Sequence, residues 1–479
     1  MRDKEVHELG SGFASSGRLS RRRFLAQLGG AATAGALACG GCARAPEARP
    51  NIVMLVLDTV RSDHLGAWRY PKATSPNLDA FVKTATQYTR AYAPTSWTLP
   101  THASLFTGLY PFAHHSHAYL VQDKAGNAHV HEPPLDDAHR TLAEALQQEG
   151  YATAGFTANT VYLKERYQLH QGMDTYHVER VPGVELAPHA LAWIDANNSK
   201  PFFLFLNFMD AHYPYNVAPL PGAQLEPAPQ DEELLLQYIE KTLTADAPVD
   251  RELTAKVVAQ YDTGIAHADR GLAAVLDGLK SRALFDDTLV MVMSDHGEFF
   301  GEHDLAQHSK DLYEEGVHVP LAVKRPGQRK PARHDAPVSL VEAPCLVMSA
   351  LGAATARRYP HLTERGAGLP LLTEIYYTRA WDLFDERWGH RFHRVRTALY
   401  DWPWKYIHSS DGNHELYHLE RDPAEAADLY DSEGPRVRAM LDRLQRVKDL
   451  EPAAPARPAA PAPPLTPQDE EEMRTLGYL

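Results

Sequence analysis

The stretch N-I-V-M-L-V-L-D (residues 51–58) decides the fold class of this chain. Its unbroken apolar run, Ile52 to Leu57, ends at the carboxylate of Asp58. Such a run suits a parallel strand buried on both faces better than an amphipathic helix. In open α/β sheets ligands bind beyond the carboxyl ends of the strands, which makes Asp58 a candidate site residue. The alternative is an aspartate that only caps the next helix.

Two further apolar runs end in the same way. F-F-L-F-L-N-F (202–208) leads to His212, and L-V-M-V-M (289–293) leads to Asp295. The helices predicted between the runs from apolar spacing start at Leu142 and span Tyr261 to Leu279. This alternation of strands and helices predicts an α/β fold with a mostly parallel central sheet flanked by helices.

The segment T-S-W-T-L-P-T-H-A-S-L-F-T-G-L-Y (95–110) places hydroxyl groups and an imidazole where a loop becomes a helix. Pro100 suits the first helical position, with Thr98 just outside as a candidate cap. The unpaired backbone N–H groups and the dipole at such a helix start favour an anion. Taken alone, the segment is equally consistent with an ordinary capped helix.

A dense polar block follows the strand that ends at Asp295. It reads D-H-G-E-F-F-G-E-H (295–303) and continues through His308 to L-Y-E-E (312–315). So many polar groups after one buried strand indicate a functional site rather than a structural turn.

Together these motifs resemble the sulfatases of the alkaline-phosphatase superfamily. Thr98-Leu99-Pro100-Thr101-His102 fills the positions of the family motif C/S-x-P-x-R, and Thr107-Gly108 closes it. The block from Asp295 resembles S-D-H/N-G-E-x-x-G-E-H, and M-D-A-H-Y-P-Y (209–215) resembles D-P-H-x-P-Y. The resemblance implies an alkaline-phosphatase-like α/β fold and hydrolysis of sulfuric or phosphoric esters.

The chain departs from the sulfatase pattern at the nucleophile and around it. Thr98 stands where the family has Cys or Ser, and His102 stands where it has Arg. Thr59 replaces the second residue of an Asp-Asp pair, and Asn159 is the remaining hydrogen-bond donor of a loop that in many sulfatases carries a Lys and a His. Because Thr cannot give the aldehyde, no formylglycine is expected, and Thr98 would attack the ester directly.

The resemblance implies one divalent metal held by Asp58, Thr98, Asp295 and His296. This set resembles the single-metal site of lipoteichoic-acid synthases and phosphoethanolamine transferases, relatives that use a Thr nucleophile. The imidazole favours Zn²⁺ or Mn²⁺, with Ca²⁺ or Mg²⁺ as the alternatives. Bound to the metal, Thr98 would lose its proton more readily and attack sulfur or phosphorus in line.

The resemblance also implies that imidazoles contact the substrate. His102, His212 and His308 would steady its equatorial oxygens and the leaving group. Lys310 is an alternative to His308 because it lies two residues further along the same loop.

Composition indicates a soluble globular protein, with 479 residues of which 44% are apolar and 23% charged. The 48 basic residues against 62 acidic ones give a net charge of −14, so the chain as a whole offers no basic surface for nucleic acid. Cys345 falls in an apolar helical pattern and is predicted to be a buried structural thiol.

Four segments are expected along the chain. They are a signal segment (1–42), a sulfatase-like catalytic domain (50–382), a small C-terminal α+β subdomain (383–450) and a Pro/Ala linker with the C-terminal tail (451–479). From about residue 383 the pattern changes to short strands and turns, which resembles the small C-terminal antiparallel sheet of sulfatases. An acidic insertion (219–251) is predicted to form a surface loop and a short helix near the pocket mouth, and the sequence assigns it no role.

The N-terminus resembles a twin-arginine export signal. S-R-R-R-F-L (20–25) precedes a weakly apolar run, Ala26 to Ala38, that is too short and too rich in Gly and Ala to span a membrane. Ala36-Leu37-Ala38 is an A-x-A cleavage site, while Cys39 and Cys42 stand where a lipoprotein cysteine would tether the chain to a membrane. We therefore expect an exported protein, either periplasmic or a membrane-anchored lipoprotein.

The sequence leaves three functions open. The first is a hydrolase of sulfate or phosphate esters acting on a small molecule or a glycan, whose alcohol half no motif identifies. The second is a phospho-group transferase acting on envelope glycans or lipids. The third is a non-catalytic binder of a sulfated or phosphorylated glycan, which need hold no metal.

Replacing both Arg21 and Arg22 with Lys is expected to leave the precursor in the cytoplasm, because export machinery reads this pair as an address. Cell fractionation with immunoblotting measures the distribution. The matched control is Arg18→Lys, which lies outside the S-R-R-x-F-L motif and is expected to be exported. Normal export of the double variant would contradict the interpretation.

Overall fold

The computed structural model describes residues 49–122, 126–218, 232–245, 250–363, 370–377, 380–448 and 466–475. The predicted signal segment, with Arg21, Arg22, Cys39 and Cys42, lies outside the described residues. So do 219–231 and 246–249 of the acidic insertion, 449–450 of the C-terminal subdomain, and 451–465 and 476–479 of the linker and tail. Within the described ranges, no helix combines the length and the apolar character that crossing a membrane requires.

Strands and helices alternate along most of the chain. In the described residues the strands are β1 (Asn51–Leu57), β2 (Thr86–Tyr92), β3 (Tyr119–Gln122), β4 (Ala128–His131), β5 (Ala152–Thr157), β6 (Thr175–Val178), β7 (Phe202–Phe208), β8 (Thr288–Met293), β9 (Phe299–Phe300), β10 (Ala306–Gln307), β11 (His318–Lys324), β12 (Ala332–His334), β13 (Val338–Ser339), β14 (Leu371–Ile375), β15 (Arg396–Asp401), β16 (Trp404–Ser409) and β17 (Glu415–His418). The α-helices are α1 (Pro76–Val82), α2 (Thr98–Thr107), α3 (Pro111–His114), α4 (Leu142–Gln148), α5 (Gly183–Asn197), α6 (Glu232–Thr244), α7 (Arg251–Ser281), α8 (Glu314–Val317), α9 (Ala343–Ala350), α10 (Ala353–Ala356), α11 (Pro360–Thr363), α12 (Ala380–Phe384), α13 (Gly434–Lys448) and α14 (Pro467–Thr475).

The central sheet has the strand order β12-β2-β11-β8-β1-β7-β5-β6, and β13 also pairs with β2. β1 is parallel to both of its neighbours, β7 and β8, and β5 is parallel to β7 and β6. β11 alone runs antiparallel to its neighbours, β2 and β8. The three inner strands β1, β7 and β8 are buried except for Asn51 at the start of β1, which explains why their sequences are almost entirely apolar.

A four-stranded antiparallel sheet, in the order β14-β15-β16-β17, forms the second layer of strands near the C-terminus. The predicted α/β class, with a mostly parallel central sheet and a small C-terminal antiparallel sheet, is therefore confirmed. The antiparallel sheet includes β14, which begins at Leu371 and pairs with β15. The sheet therefore starts before residue 383, the predicted boundary of the C-terminal subdomain.

The register of the inner strands aligns their carboxyl ends. Val56 of β1 lies opposite Asn207 of β7 and Met293 of β8. Asp58 and Asp295, each two residues further along its own strand, therefore emerge at the same edge of the sheet.

Three local expectations need correction. Helix α2 begins at Thr98 rather than at Pro100, with Trp97 in the cap position and without a side-chain cap. Cys345 is partly exposed on α9, because it lies away from the face that buries Val347 and Met348. Most of the described part of the acidic insertion is helix α6, which forms the predicted helix but is amphipathic: it buries Leu235, Tyr238 and Leu243 on one face and exposes Leu236 on the other.

Candidate active site

Four fully buried side chains meet at the carboxyl edge of the central sheet. Asp58 follows β1, Asp295 and His296 follow β8, and Thr98 begins α2. One ligand atom from each of Asp58, Asp295 and His296 lies within 4.8 Å of the other two. The four residues proposed as metal ligands are thus brought together by three separate elements.

Hydrogen bonds occupy one oxygen of each carboxylate and leave the other facing the cluster. Asp58 Oδ2 accepts from the side-chain amides of Asn159 and Asn207, both at 3.1 Å. Asp295 Oδ1 accepts from the backbone N–H groups of Thr59 at 3.2 Å and His296 at 3.0 Å. Asp58 Oδ1 and Asp295 Oδ2 are buried without a hydrogen-bond partner among the described residues.

The tautomer of His296 follows from its backbone contact. Its Nδ1 lies 3.0 Å from the carbonyl oxygen of Gly297, which can only accept, so Nδ1 carries the proton. Nε2 is therefore the acceptor, 3.4 Å from Asp295 Oδ2 and 3.9 Å from Asp58 Oδ1. Burial lowers the pKa of His296, which favours the neutral ring that a metal ligand requires.

The Thr98 hydroxyl belongs to this cluster and does not cap its helix. Thr98 Oγ1 donates to His296 Nε2 at 3.1 Å. It lies at the start of α2, where backbone N–H groups and the helix dipole favour negative charge. The hydroxyl is therefore placed beside both a cation site and a region suited to an anion.

The cluster is electrostatically unbalanced without a cation. Burial, and after it the charge of Asp58, raises the pKa of the Asp295 carboxyl well above its ordinary value. Two carboxylate oxygens, one imidazole nitrogen and one hydroxyl form a donor set that fits a divalent ion, with the imidazole favouring Zn²⁺ or Mn²⁺. A bound ion would remove the repulsion between the two carboxylates.

The three remaining histidines lie around this cluster. His102 Nδ1 donates to the carbonyl of Thr98 at 2.9 Å and lies 3.7 Å from Asp295 Oδ2. The His308 ring lies between those of His296 and His212, with centroids 4.6 Å and 4.9 Å away. The structure thus brings together every residue proposed for the site from the sequence.

Burial lowers the pKa of both His102 and His212 to about 4. The Nδ1 of His212 donates to the carbonyl of Tyr213 at 2.7 Å, as that of His102 donates to Thr98. In the neutral ring Nε2 is then an acceptor, so either ring must gain a proton before it can donate to an anionic oxygen. Substrate charge would favour that protonation.

Lys310 does not take the place of His308. Its ammonium group forms a buried ion pair with Asp382 at 2.5 Å. His308 Nδ1, in contrast, lies 3.2 Å from Glu298 Oε1, so a buried carboxylate orients the ring. The alternative reading of this loop is therefore not supported.

Two supporting residues were not assigned a role from the sequence. Asn207 lies inside the apolar run of β7, and its polarity within that run was the available signal. Glu298 lies within the polar block itself, next to Gly297. Asn207 fixes Asp58 and Glu298 fixes His308, so both act through the orientation of another side chain.

Replacing Asp295 with Ala is expected to remove one bound divalent ion per chain, because the variant lacks an unpaired oxygen of the cluster. Metal analysis of chromatographed protein measures this. Asn207→Ala should weaken binding about 10–100-fold, since Asp58 loses an orienting hydrogen bond.

Asp210→Ala is the matched control for the metal experiment. Asp210 is also a buried aspartate after an inner strand, but its carboxylate accepts from the backbone of Gly183. It is expected to retain the ion. Equal metal content in wild type and Asp295→Ala would contradict the assignment.

Two relatives are similar to this chain over part of its length. An ulvan-active sulfatase of Formosa agariphila is 26% identical over 344 residues, which cover 64% of this chain and 61% of the relative. The human N-sulphoglucosamine sulphohydrolase is 27% identical over 299 residues, which cover 59% of this chain and 57% of the relative. The matched stretch therefore spans about three fifths of each relative's own length.

A solved structure and a family profile extend the comparison. The fold is similar to that of a phosphonate monoester hydrolase of Agrobacterium radiobacter, with a TM-score of 0.61 and 19% identity over 84% of this chain and 95% of that chain. Residues 50–353, more than half of the chain, match the profile described as sulfatase. The chain belongs to the sulfatase family.

Proposed function

We propose that the chain is a metal-dependent hydrolase of sulfate or phosphate esters in which Thr98 is the nucleophile. The observation that carries the proposal is the position of Thr98 Oγ1. This buried hydroxyl lies 3.1 Å from His296 Nε2, in a cluster with Asp58 and Asp295 and at the start of a helix. A Thr that only began a helix would not be expected to place its hydroxyl against the imidazole of His296.

Asp58 Oδ1, Asp295 Oδ2, His296 Nε2 and Thr98 Oγ1 are the atoms that would hold the ion. A divalent ion there supplies positive charge that lowers the pKa of the hydroxyl and offsets charge on the ester oxygens. The chain itself keeps these donors in place through Asn159, Asn207 and the backbone of Thr59.

The chemistry of the nucleophile separates the two ester classes. A formylglycine hydrate can expel sulfate by elimination, whereas an ester formed on Thr98 must be hydrolysed by a second attack on sulfur or phosphorus. A phosphorylated hydroxyl follows alkaline-phosphatase logic, so Thr98 favours phosphate mono- or diesters. The curated relatives named above act on sulfated substrates, and we therefore keep the sulfate ester as the other substrate class.

His308 is the residue best placed to protonate the leaving group. The buried carboxylate of Glu298 faces its Nδ1, which stabilises a positively charged ring and directs Nε2 away from Glu298. His102 and His212 would then contact the non-reacting oxygens of the ester after gaining a proton. The relatives suggest a sulfated glycan as the substrate class, and a phosphorylated glycan or a small ester is the alternative.

A phospho-group transferase is the second candidate. It uses the same covalent step on Thr98 and differs only in the acceptor, which is an alcohol instead of water. The predicted signal and lipoprotein cysteine favour it, since we propose that the chain acts outside the cytoplasm, in the periplasm or tethered to a membrane. A pure glycan binder would not need unpaired oxygens on Asp58 and Asp295.

Replacing Thr98 with Ala is expected to lower kcat/KM by on the order of 10³–10⁵, because covalent catalysis and one metal ligand disappear together. Thr98→Ser should retain part of the activity, since the hydroxyl survives. Assays with aryl phosphate, aryl phosphodiester and aryl sulfate measure the loss and identify the preferred ester class.

The control for this experiment is Thr107→Ala. Thr107 ends the same helix, and its buried hydroxyl donates to the carbonyl of Ala103 at 2.6 Å. This variant should keep activity close to wild type even if it is less stable. Turnover by Thr98→Ala at the wild-type rate would disprove the assignment of the nucleophile.

A further inference from the structure

A second group of ligating side chains lies behind the candidate active site. It consists of His303, Glu315 and Glu425, one ligand atom of each lying within 4.8 Å of the other two. All three side chains are largely or fully buried. His303 Nε2 and Glu315 Oε2 have no hydrogen-bond partner in the part of the chain that the structure describes, and Glu425 Oε1 contacts only the ammonium of Lys405 there.

The spacing of these atoms does not suit a direct hydrogen bond. His303 Nε2 lies 3.6 Å from Glu315 Oε2, which exceeds hydrogen-bond distance. Two donors bound tetrahedrally to one zinc ion at about 2.0–2.1 Å would lie roughly 3.3 Å apart. The observed separation is close to that value, so an ion between the two atoms requires only a small adjustment.

The local charge is also uneven. Lys405 is fully buried, and its ammonium lies 2.8 Å from Glu425 Oε1 and 3.1 Å from Glu314 Oε1. One lysine therefore serves two glutamates, while Glu315 lies close to Glu425 as a third. A divalent cation would add positive charge beside these carboxylates. Glu425 Oε1 has two lone pairs, so it can accept from Lys405 and also bind an ion.

A cavity lies next to one member of the cluster. A cavity of about 300 Å³ is lined by Ser62, Arg90, Glu314, Glu315 and His318, among others. The largely buried Glu315 thus lines this cavity and also lies next to His303. A metal site needs an entry path, and this cavity reaches one of the three side chains.

The cluster is mechanically linked to the candidate active site. Gly297 N donates to the carbonyl of Gly316 at 2.9 Å, directly after His296 and Glu315 respectively. A Cβ at position 297 would lie 1.9 Å from the carbonyl oxygen of Glu315, so the two turns are in close contact. A contact that holds Glu315 in place would therefore also restrain the turn that contains His296.

We propose that His303, Glu315 and Glu425 bind a second divalent cation, of the Zn²⁺ or Mn²⁺ class. This ion joins the polar block after β8 to the turn that follows β17, and so holds the C-terminal sheet against the turn behind His296. Its role is structural, since it lies outside the group of side chains around Thr98.

The test separates this site from the catalytic one. In the double variant Asp58→Ala/Asp295→Ala, stripped with a chelator, calorimetric titration with Zn²⁺ or Mn²⁺ is expected to show one remaining equivalent per chain. The ion should also raise the Tm, because it binds only the folded chain. Adding Glu315→Gln should abolish both effects. Turnover is not measured, so the result is independent of the proposed function.

Two further variants complete the design. His303→Gln removes the imidazole and serves if Glu315→Gln fails to fold, which circular dichroism reports. His189→Ala is the matched control, because His177, Glu179 and His189 form an exposed trio that could also bind metal. Binding should survive His189→Ala. No stoichiometric binding in the double variant, binding that persists with Glu315→Gln, or binding lost with His189→Ala would each overturn the proposal.

Discussion

The repulsion between two buried carboxylates, Asp58 and Asp295, is the constraint on which the rest of the site depends. Carboxylates at this depth are costly unless they are paired or coordinate a cation. Parallel neighbouring strands bring them to the same edge, and amide and backbone donors hold one oxygen of each. A cation between the two remaining oxygens would satisfy both of them. The neutral ring of His296 and the hydroxyl of Thr98 would be the other two ligands of that cation.

The departures from the sulfatase pattern change the charge of this site. Thr59 in place of an aspartate lowers the negative charge, and its side-chain hydroxyl donates to the carbonyl of Asp58 instead of facing the ion. His102 and Asn159 replace cationic residues of the family, so the anion pocket also carries less positive charge. Both changes lower the charge density of the site together. A hydroxyl nucleophile that needs no conversion is consistent with such a site.

Much of this arrangement was predictable from the sequence because it depends on strand periodicity. The apolar runs before Asp58 and Asp295 identified buried parallel strands, and the position of the carboxylates at the strand ends placed them in a site. Asn207 stands out as a polar residue in an apolar run, but the run did not show that its amide donates to Asp58. The start of α2 was predicted two residues too late because Pro100 was assigned to the first helical position, whereas Pro100 is the third residue of the helix.

Some contacts between distant segments could not be predicted from the sequence. The ion pair of Lys310 with Asp382 and the approach of Glu425 to Glu315 each join residues that lie far apart in the chain. Periodicity carries no information about such pairs, since it reports only which face of an element is buried. The different roles proposed for His102, His212 and His308 likewise depend on the atom that each Nδ1 contacts, which only the structure shows.

The stereochemical course at the transferred atom tests the central claim most directly. Hydrolysis of an isotopically chiral phosphate ester, or of the sulfate ester if that is the preferred substrate, gives a product whose configuration can be measured. Attack by Thr98 followed by attack of water comprises two in-line displacements, so the account predicts retention of configuration. Inversion would show a single displacement by water and would contradict Thr98 as the nucleophile.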